Sequence, residues 1–285
     1  KDLSKYDKEF LFGFIVIFIL VIFSILSFFS PYYPRSWDVV PANIPPCLKY
    51  PFGTTSTGQD LFWVMTHAIK GSLTLGIIEA LISRVIAIFV GLIAGYRGKM
   101  ADRVLMSIND SFVVIPILPI LIFLGFALKE QMNLLTMAII LAIFGWAWDA
   151  RLIRSMALSL REREFTNMAI FSGMDTFKII LKEYLPFVIP LVIATIITNM
   201  LYAIGMEITL AVFGLSSLEV PTLGITIYWA TDYQAALTGV WWWLLIPVAV
   251  CIFLFVALYF LSTSISRFLD PRTRLQRIKL KTSLQ

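Results

Sequence analysis

Ser72-Leu-Thr-Leu-Gly-Ile-Ile-Glu-Ala-Leu-Ile-Ser-Arg-Val-Ile-Ala-Ile-Phe-Val-Gly-Leu-Ile-Ala-Gly95 sets the class of this chain. At a rise of about 1.5 Å per residue, a helix over this stretch crosses a hydrocarbon layer of about 30 Å. The run is too long for a barrel strand and does not alternate apolar with polar residues. Its length, not its periodicity, selects helix over strand. Five further runs are of spanning length: Phe10–Phe29, Ser111–Leu128, Met132–Trp148, Phe187–Val212 and Trp241–Leu261. The composition agrees: 59% hydrophobic, 14% charged, mean hydropathy +0.85. A soluble domain is nearer half apolar and a quarter charged, and could not bury this much apolar surface. The expected fold is an all-α membrane protein with six transmembrane helices.

Charge sets the expected orientation. Eighteen of the 23 basic residues fall in the N-terminal tail, the second-to-third and fourth-to-fifth connections, and the C-terminal tail. Arg35, Lys49, Lys70 and Lys129 lie on the opposite side, and Arg84 is inside a span. The positive-inside rule then places both termini in the cytoplasm, N-in/C-in. The expected organisation is a cytoplasmic tail at 1–9, a membrane domain at 10–266 and a second tail at 267–285. Within it, 30–71 forms an outer loop, 149–186 a cytoplasmic loop, and 213–240 an outer segment. The first run, with no small-residue cleavage site after it, reads as a retained anchor. The net charge of +5 sits between apolar runs, so it reports topology and not a nucleic-acid partner.

Little in the chain suggests chemistry of its own. Cys47 and Cys251 lie in different segments without metal-ligand spacing, and His67 is the only histidine. No disulfide, metal site or bound cofactor is expected. No G-x-x-x-x-G-K-[S/T] run is present to cradle a nucleotide phosphate. No nucleophile–base–orienter set assembles.

The most informative connection is Arg161-Glu-Arg-Glu-Phe-Thr-Asn-Met-Ala-Ile-Phe-Ser-Gly-Met-Asp-Thr-Phe-Lys-Ile-Ile-Leu-Lys-Glu-Tyr-Leu-Pro186. It reads as two short amphipathic helices around a sharp turn. Phe165, Met168 and Ala169 share one face of the first. Gly173 suits a left-handed helix end, and Asp175 can cap the second helix. There Phe177, Ile180, Leu181, Tyr184 and Leu185 mark one face. Such a pair can cap the bundle or insert into a groove of a cytoplasmic partner, and the residues alone leave both open.

Asn167-Met168-Ala169, with Gly173 six residues after the first position and Leu185-Pro186 closing, resembles the E-A-A-x-x-x-G-(x)n-L-P loop of binding-protein-dependent ABC importer permeases. Asn167 stands where the family has an acidic residue able to pair with the ATPase. Glu164, three residues earlier, shares its helix face. The segment Phe52-Gly53-Thr54-Thr55-Ser56-Thr57-Gly58-Gln59-Asp60 resembles the Gly-Thr-Asp-x-x-Gly-Arg-Asp signature of the dipeptide, oligopeptide and nickel permeases. Gly91 to Gly98, Phe213-Gly214-Leu215, Pro221-Thr222-Leu223-Gly224 and Leu269-Asp270-Pro271-Arg272 resemble further family pieces in family order. The match is to the C-type subunit.

The resemblance implies a type I ABC importer permease fold in the cell membrane of a prokaryote. It implies a second homologous permease, two ATPase subunits that carry ATP and Mg, and an extracellular solute-binding protein. It implies no enzyme activity in this chain. The coupling contact would involve Glu164, Phe165, Asn167, Met168, Ala169, Phe171, Ser172, Gly173, Met174 and Asp175. The outer loop residues Gly53, Thr54, Gly58 and Asp60 would form a turn-rich element that receives the binding protein or plugs the mouth. The substrate implied is short peptides, with nickel or oligosaccharides as relatives' cargo.

Charges inside spans are costly and must face protein or water. Glu79, Arg84 and Glu207 are the expected pathway residues, with an interhelical ion pair as the rival reading. Asp110 and Asp149 read as interface caps. Tyr228, Trp229, Trp241, Trp242 and Trp243 read as an aromatic belt. Pro116 and Pro119 read as a kink or break in the third span. The alternative functions are a stand-alone secondary transporter or channel, which would need ion-coupling or filter chemistry, and an intramembrane enzyme.

The orientation is directly testable. In a single-cysteine chain, with Cys47 and Cys251 replaced by serine, cysteine introduced at Ser172 should resist an impermeant thiol reagent added to intact cells and react after permeabilisation. Labelling of intact cells would reverse the topology.

Overall fold

A computed structural model describes residues 8–216 and 220–269, and among them the extended regular elements are all helices. Helix α1 spans Lys8–Leu26, α2 Leu61–Arg97, α3 Lys99–Val114, α4 Ile117–Ala127 and α5 Leu134–Gly145. Helix α6 spans Ala147–Arg161, α7 Glu164–Phe171, α8 Thr176–Val212, α9 Leu223–Asp232 and α10 Trp241–Leu269. By length and composition α1, α2, α8 and α10 can each cross a membrane, and there are six spans when the bent pairs α3–α4 and α5–α6 each count as one. The tail residues 1–7 and 270–285, and with them most of the Leu269-Asp270-Pro271-Arg272 motif, lie outside the described residues, as does Glu219.

The expected third and fourth spans are not continuous helices. Helices α3 and α4 meet at 80°. Ile115 sits at φ −63°, ψ 126°, because the residue before a proline is forced out of the helical region by the ring of Pro116. Pro119 causes no second break, since it falls in the first turn of α4, where its missing N–H has no helical partner to lose. Helices α5 and α6 are bent by 46° around Trp146. Helix α2 begins earlier than its apolar run, at Leu61, because the Asp60 carboxylate accepts a hydrogen bond from the Phe62 N–H at 3.0 Å and caps it. His67 therefore lies within α2.

Three apolar clusters form the interior, and α2 and α8 contribute to all of them. At the expected outer end, Met65, Ile69 and Leu73 pack with Ile204, Leu223, Trp243 and Leu254. At the opposite end, Ala87 and Leu92 pack with Ala150, Ile153, Tyr184 and Val188. Leu75 joins Leu121, Met137, Leu141 and Leu210 in the third. Trp242 and Trp243 belong to this interior. Both are buried, and the Trp242 indole N–H donates to the Thr54 carbonyl at 3.0 Å. The aromatic-belt reading fails for these two, while Trp241 is exposed.

Polar groups inside the bundle are tied across helices. Arg84 of α2, 2% exposed, forms an ion pair with Asp149 of α6 and donates to the Thr195 hydroxyl of α8 at 2.9 Å. Asn199 of α8 donates to Ser83 at 2.8 Å and to Glu79 at 3.4 Å. About two turns beyond Asn199, Glu207 accepts from Thr222 at 2.6 Å and from Ser216 at 3.0 Å. Asp149 is thus the counter-ion of a buried guanidinium and not an interface cap. Asp110 pairs with Arg151 at an exposed position, as an interface residue would.

Removing one member of a buried pair strands the other charge, at a cost of about 3–5 kcal/mol, whereas replacing both by apolar groups is close to neutral. Arg84→Met should therefore lower the thermal midpoint of the purified protein strongly, and Arg84→Met with Asp149→Leu should recover most of the loss. Equal destabilisation by the single and double variants would show that the pair is not what holds α2 to α6.

Candidate functional site

Helix α7 and the start of α8 form a projecting corner, built by a helix-end motif that the sequence specifies. The Met174 N–H donates to the Ala169 carbonyl at 3.1 Å and the Gly173 N–H to the Ile170 carbonyl at 3.0 Å. This pattern closes a helix through a left-handed residue. Gly173 supplies it at φ +76°, with nothing within 4 Å of where a Cβ would stand. The Asp175 carboxylate then accepts from the Phe177 N–H at 3.1 Å and starts α8.

The corner has an inner and an outer face. Inward, Thr166 donates to the Leu160 carbonyl at 2.8 Å and lies 3.2 Å from the Tyr184 hydroxyl. Phe165 stacks on Phe187 at 5.5 Å and meets Tyr184 edge-on. Ala169, Ile179 and Ile180 are buried beside them, and Met174 packs against the same cluster. Outward, Phe171 is 88% exposed and Met168 71%, with Ile170 and Phe177 beside them. Glu164, Asn167, Ser172 and Asp175 are exposed around this apolar tip.

Two expected faces are corrected by these positions. Phe165 and Ala169 do not share a face with Met168. They point into the bundle, and the outer apolar surface is Met168, Ile170 and Phe171. In α8, residues Ile179–Tyr184 form a π-helical turn. The wider turn replaces the i, i+4 spacing by i, i+5, so Ile179 and Tyr184 face inward together. Phe177 and Leu181, expected to share one face with Ile180 and Tyr184, are exposed, whereas Ile180 and Tyr184 are buried.

The three expected pathway residues are all interior to the chain. Glu79, Arg84 and Glu207 are each 2% exposed or less and join α2, α6, α8 and the segment before α9. Sequence reasoning had no means to find Thr195, Asn199 and Thr222 as their partners, because neutral side chains inside an apolar run give no pairing signal.

The outer segment is compact and turn-built. Gly53 and Gly58 have φ +75° and +67°, and Thr54 bridges to Asp60. The Thr54 hydroxyl donates to the Pro41 carbonyl and accepts from the Ile44 N–H, both at 2.8 Å. A Cβ on Gly53 would stand 2.6 Å from the Trp242 indole nitrogen. Gly53, Thr54, Gly58 and Asp60 are all buried, so they shape this segment and hold it to α2 and α10.

Residues 87–275 match the family model described as "Binding-protein-dependent transport system inner membrane component". The chain is 31% identical over 261 residues to the oligopeptide transport system permease protein OppC of Mycobacterium tuberculosis, covering 90% of this chain and 88% of the relative. It is 28% identical over 261 residues to the dipeptide transport system permease protein DppC of Bacillus subtilis, covering 92% and 81%. Among solved structures it resembles a chain of the MetNI methionine ABC transporter in an inward-facing conformation. The TM-score is 0.55 at 17% identity, over 73% of this chain and 97% of that one, which is a likeness of fold alone. The chain belongs to the family of binding-protein-dependent transport system inner membrane components: it is an ABC importer permease with the type I fold.

Proposed function

We propose that this permease imports short peptides across the cell membrane as half of a two-permease pathway. Two ATPase subunits dock from the cytoplasm, and a solute-binding protein delivers cargo from outside. ATP and Mg belong to the ATPases. The peptide assignment rests on the named activities of the OppC and DppC relatives. The coupling assignment rests on one observation: an apolar tip, Met168–Ile170–Phe171, held out at a rigid corner whose inner face is locked into the bundle. A cap on the bundle would turn these side chains inward. An apolar centre with the polar rim of Glu164, Asn167 and Asp175 is the anatomy of a protein-binding patch.

In this reading the tip sits in a groove of one ATPase. Closure of the ATPases pushes on α7, and the locked inner face passes the displacement to α6 and α8. Asn167 contributes a neutral contact where the family motif that the loop resembles has an acidic residue, and Glu164 supplies the charge from the same face. The orientation is N-in/C-in, with 30–71 and 213–240 outside and both tails in the cytoplasm.

Phe171→Ala should weaken ATPase binding about tenfold or more, as loss of a central aromatic anchor does. Gly173→Val should reduce transport and coupled ATP hydrolysis with the bundle folded, since a left-handed backbone costs a β-branched residue roughly 1 kcal/mol or more. Gly173→Asn, which tolerates that conformation, should retain most activity. Cysteines at 171–175 should crosslink to a co-expressed ATPase. Normal transport with no crosslink at any of these positions would reduce the corner to a cap.

A further inference from the structure

A cleft of about 180 Å³ opens between the outer segment, the outer end of α2, α9 and the start of α10. Its apolar walls are Trp37, Val64, Ile225, Trp229 and Trp243, with Arg35 at the lining. The volume is close to that of a cavity of about 150 Å³ that takes one benzene ring.

The walls are fixed before any guest arrives. Trp37 meets Trp229 edge-on at 5.5 Å and Tyr233 at 6.4 Å, and Tyr233 packs on Trp243 at 5.7 Å. The backbone beside Trp37 is pinned by the Asp38 N–H donating to the Thr57 carbonyl at 3.0 Å. Helix α9 is anchored at its start by the Leu223 N–H donating to Ser72 at 3.0 Å and by the Thr222 hydroxyl on Glu207.

The Gln59 and Thr226 side chains in the walls are already engaged. The Gln59 amide donates to the Pro34 and Ser36 carbonyls, each at 3.3 Å, and its oxygen accepts from Thr57 at 3.2 Å. The Thr226 hydroxyl donates to the Thr222 carbonyl at 2.8 Å. A guest therefore meets a lining dominated by aromatic and aliphatic side chains, which suits a flat apolar ring.

We propose that this cleft receives one ring-sized apolar side chain of a transported peptide at the outer mouth, so that Trp37, Ile225 and Trp229 set a preference among cargoes. The proposal rests on the peptide-import reading above. It makes the cleft a side-chain subsite.

The test uses the complete transporter, reconstituted in liposomes with its partner subunits and one fixed binding protein. Uptake of the tripeptides Ala-Ala-Ala and Ala-Phe-Ala is compared between variants. Val64→Trp, which fills the cleft, should lower the Ala-Phe-Ala to Ala-Ala-Ala uptake ratio about tenfold, as a hydrophobic pocket discriminates, while Ala-Ala-Ala uptake stays within about twofold. Trp37→Ala, which opens one wall, should lower the ratio in the same direction. A tripeptide carrying a central benzophenone side chain should photolabel Trp37, Val64 or Ile225. Unchanged ratios in both variants, with peptide uptake intact, would overturn the cleft and leave the import reading standing. So would photolabel falling elsewhere, or a crosslink from the binding protein or lipid occupying the cleft instead. If the unmodified transporter takes up neither tripeptide, the import reading falls and the subsite with it.

Discussion

The close approach of α6 to α2 is the contact on which the rest of the bundle depends. Within lipid, helices gain little from hiding apolar surface from one another, so they associate through tight packing and buried polar pairs. Gly91 and Gly95 of α2 make that packing available. A Cβ at Gly91 would stand 2.7 Å from the Ala150 carbonyl, and one at Gly95 would stand 2.5 Å from the Ala157 side chain. Only at this separation can Asp149 meet Arg84. A guanidinium in the interior is costly without its counter-ion, so the glycine contact and the ion pair require each other. Thr195 and Asn199 then bring α8 to the same region, and the three helices become one unit.

The sequence was most readable where one physical effect acts alone. The spans α1, α2, α8 and α10 follow from apolar length, because in hydrocarbon a helix satisfies every backbone group internally. The left-handed turn at Gly173 and the cap at Asp175 follow from local chemistry. Readability stops where a long-range contact decides. Nothing near Asp149 in the chain indicates that α6 will carry it to Arg84, so an interfacial position was the simpler reading. Trp242 and Trp243 have the composition of an interfacial belt, and long-range contacts bury them, Trp242 under Thr54 and Trp243 against Tyr233. The break between α3 and α4 was legible in Pro116, but its 80° angle was not, since a proline fixes local torsions and not the direction in which the following helix finds its packing partners.

The corner at Gly173 shows a subtler failure. Assigning faces by i, i+3 and i+4 assumes 3.6 residues per turn, and the π-helical turn at Ile179–Tyr184 departs from that spacing. With the added residue, Ile179 and Tyr184 align and Phe177 and Leu181 rotate outward. The surface offered at the tip is therefore larger than the pattern implied, and it comes from both helices. The same turn lets Tyr184 reach Thr166 and Tyr96 at once, so α7 is clamped to α8 and α2 by one side chain.

A displacement at the corner has a continuous route inward. Phe165, Ala169 and Tyr184 share a cluster with Ile153 and Ala150 of α6 and Leu92 of α2, and the Arg84–Asp149 pair lies at its inner edge. Helix α2 is 37 residues of unbroken helix and carries such a push as a rod. Helix α6 meets a bend at Trp146, and α3 a break at Ile115–Pro116. Packed interiors rearrange by switching between discrete arrangements and not by bending everywhere. Under the proposed function, rotation falls at those two joints, near the Asn109 side chain, whose amide donates to the Ala147 carbonyl at 2.7 Å and whose oxygen accepts from Arg151 at 3.1 Å. Asn109 ties α3 to α6 at the start of each joint, so the two bent spans cannot open independently. Under the proposed function, a single push at one corner moves two spans together, and α2 carries it as a rod toward the other end of the molecule.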